Sequence, residues 1–430
     1  MGNNLDKIKA LMDKVQTFAY MRLWKYPLAE KHQNHLVSEI TSRGHVNVVI
    51  FAMSVAMWRY QHLYEIMKRD SRFTVNVVIS PAKDYEYKQR LEDVTKLRKY
   101  FQNHNVEFVD FDVENGSAPI DIRSRFSPDI IFYPQPYENL LCKEHDCVNF
   151  YDKLLCYYPY AFLTGKGKLS YDFHFHNLAW RLYNPLQAHL EEARKTAWNK
   201  GRNIRIVGYP NADDYMKQSF SDVWKPIGDG KSRKRIIWAP HFTIAESFGQ
   251  IPRANFLWAA SVMTDLAREY KDEIQIALKP HPRLLTELYR HPDWGKDKAD
   301  EFYELWAKME NTQLETGDFV DLFMTSDAMI HDSGSFTVEY HYSLKPVMFI
   351  SRDINYFKQG QTEQSCKSID AHYIGSNEEE IRQFIKEVVL GGCDPMYSIR
   401  EKFKNDYLLP PNGKTVAENT IDDIIESLNI

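Results

Sequence analysis

The sequence lacks a run of apolar residues that could cross a bilayer, and it lacks a basic excess. Its most apolar stretch, VNVVIFAMSVAMW, ends at Trp58 and is too short, because a transmembrane helix needs about 20 such residues. The 54 Lys and Arg residues are outnumbered by 59 Asp and Glu, so the net charge of −5 argues against duplex nucleic acid as a partner. No secretory signal pattern opens the chain, and we therefore expect a cytoplasmic protein.

The sequence is also poor in cysteine and has no CxxC pair. An odd number of scattered thiols is typical of a reduced cytoplasmic protein rather than of a disulfide framework or a zinc site. We expect buried structural thiols at the five positions, which are Cys142, Cys147, Cys156, Cys366 and Cys393.

What the sequence does contain is a repeated alternation of strands and helices within 430 residues, of which 43% are hydrophobic. Stretches such as HVNVVIFAM and FTVNVVIS alternate with amphipathic ones such as YEYKQRLEDVTKLRKYFQNH, which predicts parallel sheets covered on both faces. A second series starts at Arg235, at the end of the linker candidate KPIGDGKSRKR. The predicted fold is α/β, with an N-terminal helical extension (1–40), two parallel-sheet domains (41–225 and 235–410) and a C-terminal helix (411–430).

Polar and cationic residues follow three predicted strands of the second series, in WAPHFT, LKPHPR and HDSGS. Ligands of parallel α/β sheets bind beyond the carboxyl ends of the strands, so these three stretches form the predicted site. Its candidate residues are Pro240, His241, Lys279, His281, Arg283, Asp332, Ser333, Gly334 and Ser335.

The stretch HDSGS precedes a predicted helix and has two interpretations. Ser333 and Ser335 could donate hydroxyl hydrogen bonds to a phosphate, and Gly334 would let the anion approach the backbone. The start of the helix would attract the same negative charge. The alternative is an ordinary helix cap, formed by Ser335 or a neighbour.

In LKPHPR, two prolines hold their neighbours in extended conformations. If the run stays extended, alternate side chains point the same way, so Lys279, His281 and Arg283 would form a cationic strand end suited to a diphosphate. The alternative is a proline-stiffened loop with solvated charges.

In the first series, HFHN precedes a helix and carries His174 and His176. Either imidazole could act as the general base on an acceptor hydroxyl. Two alternatives remain open, a metal-binding pair without an evident third ligand and ordinary hydrogen-bonded histidines near a helix start.

As an ordered set, these motifs resemble the CDP-glycerol glycerophosphotransferase family of teichoic-acid-type polymerases and primases. WAPHFT matches the family's YAP loop, and KPHP recurs unchanged within LKPHPR. HDSGS, with Glu339 and LKPVMFI after it, matches an Asp-Tyr-Ser-Ser motif followed by an acidic residue and a KP strand. NIRIVGYPNADDY resembles the interdomain GxP turn, and NGKTVAENTIDDII resembles the closing DGKA helix. The family's N-terminal Trp-His-Gly motif has no counterpart of that form, and either HFHN or YYPYAF, which has no histidine, could take its place. DSGS also resembles the DSGG loop of UDP-GlcNAc 2-epimerases.

The resemblance implies a GT-B fold, with two Rossmann-like domains facing each other across a cleft. It implies a transferase that moves a polyol-phosphate group from a CDP-linked donor to an acceptor hydroxyl in cell-wall or capsular polymer synthesis, releasing CMP. Charge on the transferring phosphate would be stabilised by His281, and the base would be His174 or His176. Donor binding would involve Pro240, His241, Lys279, Arg283, Asp332, Ser333, Gly334, Ser335 and Glu339.

Two other functions fit the same features. One is a GT-B glycosyltransferase or 2-epimerase acting on a UDP-sugar, and the other is a degenerate nucleotide-binding scaffold of a polymer-assembly complex. No motif demands a cofactor, although Asp332 could hold Mg²⁺ against a diphosphate.

The expected partners are a CDP-linked polyol donor and a polymer or lipid-linked acceptor, without nucleic acid. A lipid-linked acceptor would make the protein a peripheral one at the inner face of the cell membrane, docked through the amphipathic segment from Leu5 to Phe18. The alternative for that segment is packing on the body of the protein.

Overall fold

The computed structural model describes residues 19–83, 87–110, 119–138, 140–244 and 254–430, which form two compact units. The first unit comprises the described residues of 1–161, 167–210 and 410–430, and the second comprises those of 162–166 and 211–409. The segment from Leu5 to Phe18, predicted to be an amphipathic helix, lies outside the described residues. Among the described residues, none of the helices combines the length and the apolar character that crossing a bilayer requires.

The first unit is built on a sheet of seven parallel strands. These are β1 (Val46–Ala52), β2 (Phe73–Ile79), β3 (Phe108–Val109), β4 (Ile130–Tyr133), β5 (Leu154–Tyr157), β6 (Arg181–Asn184) and β7 (Ile204–Ile206). Their order across the sheet is β3-β2-β1-β4-β5-β6-β7, so the chain winds outward from β1 in one direction and then in the other. The central strands β1 and β4 are almost wholly buried, because helices cover both faces of a sheet of this kind.

Among the described residues, seven α-helices of the first unit lie before residue 211. The first α-helix continues directly from a π-helical segment at Met21–Lys25, with Pro27 near the junction, and Gly44 ends it in the left-handed conformation that favours glycine. The seven are α1 (Tyr26–Arg43), α2 (Gln61–Arg69), α3 (Tyr87–Asn103), α4 (Ile122–Phe126), α5 (Lys168–Tyr171), α6 (His174–Leu178) and α7 (Gln187–Thr196).

The second unit contains a sheet of six parallel strands, whose order β10-β9-β8-β11-β12-β13 is that of a doubly wound dinucleotide-type fold. The strands are β8 (Lys234–Ala239), β9 (Ile274–Leu278), β10 (Thr312–Leu314), β11 (Ala328–His331), β12 (Val347–Ile350) and β13 (Tyr373–Gly375). The helices are α8 (Ala212–Tyr215), α9 (Phe256–Glu269), α10 (Leu284–Arg290), α11 (Gly295–Lys308), α12 (Val320–Thr325), α13 (Phe336–Glu339), α14 (Ile354–Gln359), α15 (Glu363–Ile369), α16 (Glu378–Gln383) and α17 (Tyr397–Tyr407).

The C-terminal helix, α18 (Val416–Leu428), returns to the first unit. Gly208, in the predicted GxP turn, has a φ of +101°, and a Cβ there would come within 2.9 Å of the Val416 side chain and 3.1 Å of the Pro410 backbone. Only glycine fits this position, because both the backbone conformation and the close packing exclude a side chain.

The predicted pair of Rossmann-like parallel sheets is confirmed. The chain divides at residues 210–211, upstream of the predicted linker. Residues of the intervening segment pack in the second unit, where Trp224 Nε1 donates to Thr325 Oγ1 at 3.1 Å and the Lys225 N–H donates to Gln313 at 2.7 Å. All five cysteines are free thiols, and the expected burial holds only for Cys147 and Cys156. Cys142 and Cys366 are partly exposed, and Cys393 is exposed.

Candidate functional site

Asp332 lies at the point of the second sheet where the strand order reverses. It directly follows β11, whose neighbour β8 ends just before the Pro240–His241 loop. Its buried carboxylate accepts the N–H of His241 and the N–H of Asn255, both at 2.6 Å. Burial raises the pKa of Asp332 from 3.8 to about 6, although these donors favour the charged form. The side chain therefore joins two other segments to the HDSGS loop.

The LKPHPR stretch contacts the same region through its backbone. The N–H of His281 donates to the carbonyl of Pro240 at 3.0 Å, so the predicted loops WAPHFT, LKPHPR and HDSGS meet at one edge of the sheet. The predicted alternation of three cations along an extended strand is wrong, because Arg283 has helical backbone angles and immediately precedes α10.

The three predicted cations consequently have different surroundings. Lys279 is buried, and its ammonium donates to the carbonyl of Gly317 at 2.8 Å and lies 5.5 Å from the Phe319 ring centre. Burial lowers its pKa to about 8. Arg283 is exposed and stacks its guanidinium 4.3 Å above the Phe242 ring centre.

His281 is held as a neutral imidazole with a defined tautomer. Its Nδ1 accepts the N–H of Arg283 at 3.1 Å, so the proton of the neutral ring is on Nε2. Burial, assisted by the Arg283 charge, lowers its pKa to about 4. The ring packs against Phe242 and His241, with centroid distances of 4.4 and 4.9 Å. His281 thus offers a neutral hydrogen-bond donor rather than a cation near pH 7.

In the HDSGS loop, the predicted cap by a Ser335 side chain is not formed. Ser335 has helical backbone angles and precedes only the four residues of α13, without a side-chain capping bond. Gly334 has room for a Cβ, whose nearest neighbour would be Thr164 Oγ1 at 3.5 Å, so the fold permits the serine of the related motif. Glu339 is 1% exposed, and this burial disfavours its predicted contact with a ribose hydroxyl.

In the first unit, the two histidines of HFHN differ in burial. His176 is buried, its Nδ1 accepts the N–H of Phe173 at 3.3 Å, and burial lowers its pKa to about 4. His174 is partly exposed, and its Nδ1 forms a 2.6 Å hydrogen bond with the Tyr26 hydroxyl. Glu138 is close enough for its charge to interact with His174. The geometry therefore favours His174 over His176 as the candidate base, because a base needs access to its substrate.

Sequence reasoning missed Asn255, Tyr26 and Glu138. None of them belongs to a motif, and each reaches the candidate residues through a contact between segments distant in the chain. Within the described ranges, no three His, Cys, Asp or Glu side chains converge as a protein-held metal ion would require.

The sequence and the fold were compared with those of known proteins. A family described as CDP-Glycerol:Poly(glycerophosphate) glycerophosphotransferase matches residues 185–388, which include all three loops at the sheet edge. No curated protein matches the chain.

Several solved structures share the fold at low sequence identity. The wall teichoic acid polymerase TagF, in a variant soaked with CDPG, is 13% identical with a TM-score of 0.54, over 98% of each chain. The S. aureus MnaA-UDP structure is 17% identical with a TM-score of 0.56, over 89% of this chain and 96% of that one. UDP-GlcNAc 2-epimerase from Neisseria meningitidis, bound to UDP-GlcNAc, is 15% identical with a TM-score of 0.52, over 89% of this chain and 99% of that one.

These structural similarities define a GT-B-type fold, whereas the family match identifies the kind of enzyme. The resemblance found in the sequence motifs is thereby confirmed, and the chain is a transferase whose residues 185–388 are similar to the CDP-glycerol glycerophosphotransferase family.

Proposed function

We propose that the protein transfers a glycerophosphate-type group from a CDP-linked polyol to an acceptor hydroxyl during synthesis of a teichoic-acid-like or capsular polymer. The acceptor oxygen attacks the β-phosphorus of the donor, and the bond from that phosphorus to the bridging oxygen breaks. CMP leaves with the bridging oxygen, and the hydroxyl proton passes to a base. The observation that carries this proposal is the family match over 185–388, which includes the three loops joined at Asp332 and Pro240.

We assign a role to each group from its chemistry. The neutral His281 donates from Nε2 to an oxygen of the transferring phosphate, as a preorganised donor does where charge develops. Ser333, Gly334 and Ser335 bind phosphate oxygens, and His174 takes the proton. Asp332 acts by fixing the loops, since both of its oxygens accept internal hydrogen bonds. Any Mg²⁺ would therefore be held chiefly by the diphosphate itself.

The first test is a thermal-shift panel with CMP, CDP-glycerol, UMP and UDP-GlcNAc, each with and without Mg²⁺. Specific binding to the folded state raises apparent stability, by about 2.7 kcal/mol at a ligand concentration 100-fold above Kd. We expect stabilisation by the two cytidine compounds only. Stabilisation by uridine compounds alone would replace the proposal by UDP-sugar chemistry, and binding of CDP-glycerol without CMP release would indicate a degenerate scaffold.

We also propose that the protein contacts an anionic membrane surface through its N-terminal apolar face, which comprises Tyr20, Leu23, Trp24 and Leu28. These side chains are 40–71% exposed, and their spacing follows one side of a helix. Trp and Tyr favour the membrane interface, and clustered Lys and Arg favour anionic lipid.

The opposite side of the same helical segment is buried. Met21, Tyr26 and Ala29 pack with Leu178 of α6, and the Tyr26 hydroxyl contacts His174. A membrane contact on the outer side would therefore bring a lipid-linked acceptor close to the candidate base. Lys31 is an exposed cation on the same segment, whereas the Lys25 ammonium lies 3.6 Å from the Tyr151 ring centre.

Replacing Leu23 and Trp24 together by serine should weaken binding to phosphatidylglycerol vesicles at least 10-fold, because each apolar side chain loses about 1.5–3 kcal/mol of burial. Vesicle co-sedimentation measures the effect, with neutral phosphatidylcholine vesicles as the lipid control. Ile399→Ser is the matched protein control, since Ile399 is 46% exposed on α17 of the second unit. Unchanged binding of the double variant would exclude this face as the membrane contact.

A further inference from the structure

Three histidines form a buried cluster directly behind the HDSGS loop. His331 is the last residue of β11, His341 follows α13, and His372 precedes β13. Their exposed fractions are 0%, 0% and 3%, and none of them has a role in the reaction proposed above. The His341 and His372 rings lie 4.8 Å apart between centroids, and the His331 and His372 rings lie 5.3 Å apart.

The hydrogen bonds of this cluster determine the position of every proton. The carbonyl of Ser368 can only accept, so His372 donates to it from Nδ1 at 2.8 Å and His341 donates from Nε2 at 2.9 Å. A neutral His372 must then accept at Nε2, where the partner is Nε2 of His331 at 3.2 Å. His331 consequently carries its proton on Nε2, and its Nδ1 is an acceptor.

That acceptor is used by the loop. The N–H of Ser333 donates to Nδ1 of His331 at 3.2 Å, which is the geometry of a side chain that accepts from the backbone two residues ahead. Burial lowers the pKa of His331 and of His341 to about 3 and holds that of His372 well below 6.5, so the rings are neutral, as the hydrogen-bond pattern requires.

The first two residues of the loop are thus held by separate buried groups. The Asp332 carboxylate is fixed by two backbone N–H groups, and the Ser333 N–H is fixed by His331. Turning the Ser333 N–H outward would leave the His331 Nδ1 unpaired in the interior, which is unfavourable.

We propose that His331 is a positioning residue, which orients the Ser333–Ser335 segment through a single-tautomer relay that runs by way of His372 to the Ser368 carbonyl. The consequence for ligand affinity rests on the proposed function, in which this segment binds the donor phosphates. The relay itself is a property of the protein without ligand.

Two substitutions of His331 test the roles of its two ring nitrogens separately. In His331→Asn, the side-chain oxygen takes the place of Nδ1 and can accept the Ser333 N–H, as asparagine commonly does two residues ahead. In His331→Gln, the amide nitrogen takes the place of Nε2, so the bond to His372 remains and the loop anchor is lost. Both variants lose the ring and asparagine is the smaller replacement, so a role in packing alone would affect His331→Asn at least as much as His331→Gln.

We expect His331→Asn to bind CMP within about 3-fold of the unsubstituted protein and His331→Gln to bind it at least 10-fold more weakly, by isothermal titration calorimetry. Amide exchange at Ser333, measured without ligand, should accelerate only in His331→Gln. Imidazole ¹⁵N shifts should place the His331 proton on Nε2. Equal effects of the two substitutions on amide exchange, or a proton on Nδ1, would overturn the proposal.

The positioning role of His331 can be tested even if the protein binds no cytidine nucleotide. That result would refute the proposed function, whereas amide exchange and the tautomer would still test the positioning role. Normal exchange in His331→Asn with fast exchange in His331→Gln would support the relay whichever nucleotide the protein uses.

Discussion

Replacing Asp332 by asparagine should lower kcat/KM for the donor by about 10- to 100-fold. The carboxylate accepts two backbone N–H groups at 2.6 Å, from His241 and Asn255, and an amide can offer an oxygen to only one of them. The other backbone N–H would then face the NH2 group of the asparagine, which is also a donor. Leaving this N–H unpaired in the interior costs about 1–3 kcal/mol. Because the loops carrying His241 and Ser333 meet through this side chain, the loss should affect donor binding and turnover together.

Asp327→Asn is the matched control for this substitution. Asp327 stands at the other end of the same strand, and its carboxylate accepts the N–H of Arg235 at 2.8 Å and pairs with Lys234 at 3.2 Å. We expect this variant to lose some stability without a change in donor affinity. If both variants reduced kcat/KM equally, the effect would belong to the sheet as a whole and not to the candidate site.

The Asp332→Asn substitution should also change how the stability of the protein depends on pH. The pKa of Asp332 is about 6 in the folded protein against an ordinary 3.8, so the folded state retains this proton to higher pH than the unfolded chain does. The contribution of this group to the free energy of unfolding therefore falls as the pH rises from about 4 to about 6. Denaturant unfolding at several pH values should show this slope, and it should be smaller in Asp332→Asn.

Replacing His281 by alanine should lower kcat by about 100-fold or more, the usual effect of removing one preorganised donor to a developing negative charge. His281→Gln should recover at least 10-fold of that loss, because its amide nitrogen takes the place of Nε2. His281→Asn should recover little, because asparagine replaces the Nδ1 side that accepts the N–H of Arg283. Initial rates of CMP release at saturating donor measure the difference.

The chain provides a close control for His281. His291 lies in a second His-Pro turn, where its Nδ1 accepts the N–H of Asp293 at 3.2 Å, but it follows a helix rather than a strand of the sheet. His291→Gln should leave kcat unchanged. Because the pKa of His281 is about 4, kcat/KM should show no inflexion from this group between pH 6 and 8. Full activity of His281→Ala would remove this residue from the mechanism.

The sequence by itself determined the class of fold and the positions of the strand ends. Runs such as VNVVIFA and FTVNVVI are recognisable because a strand buried on both faces must be apolar throughout, and this requirement is local. The ordered motifs WAPHFT, KPHP and HDSGS were sufficient to indicate the family, because each is a contiguous stretch at the end of a strand. They were also sufficient to select His281 as a candidate.

Only the tertiary structure decided what the individual side chains do. Asp332 meets Asn255 across 77 positions, and His331 meets His372 across 41, because β11 lies between β8 and β12 in the sheet. Local periodicity cannot predict such neighbours, since it does not specify the order of strands. The side chains of Lys279 and Arg283 have different surroundings for a related reason. The chain turns into α10 after the second proline, so the extended backbone that would align them ends there. Burial, and with it the protonation state of each histidine, depends on these long-range contacts.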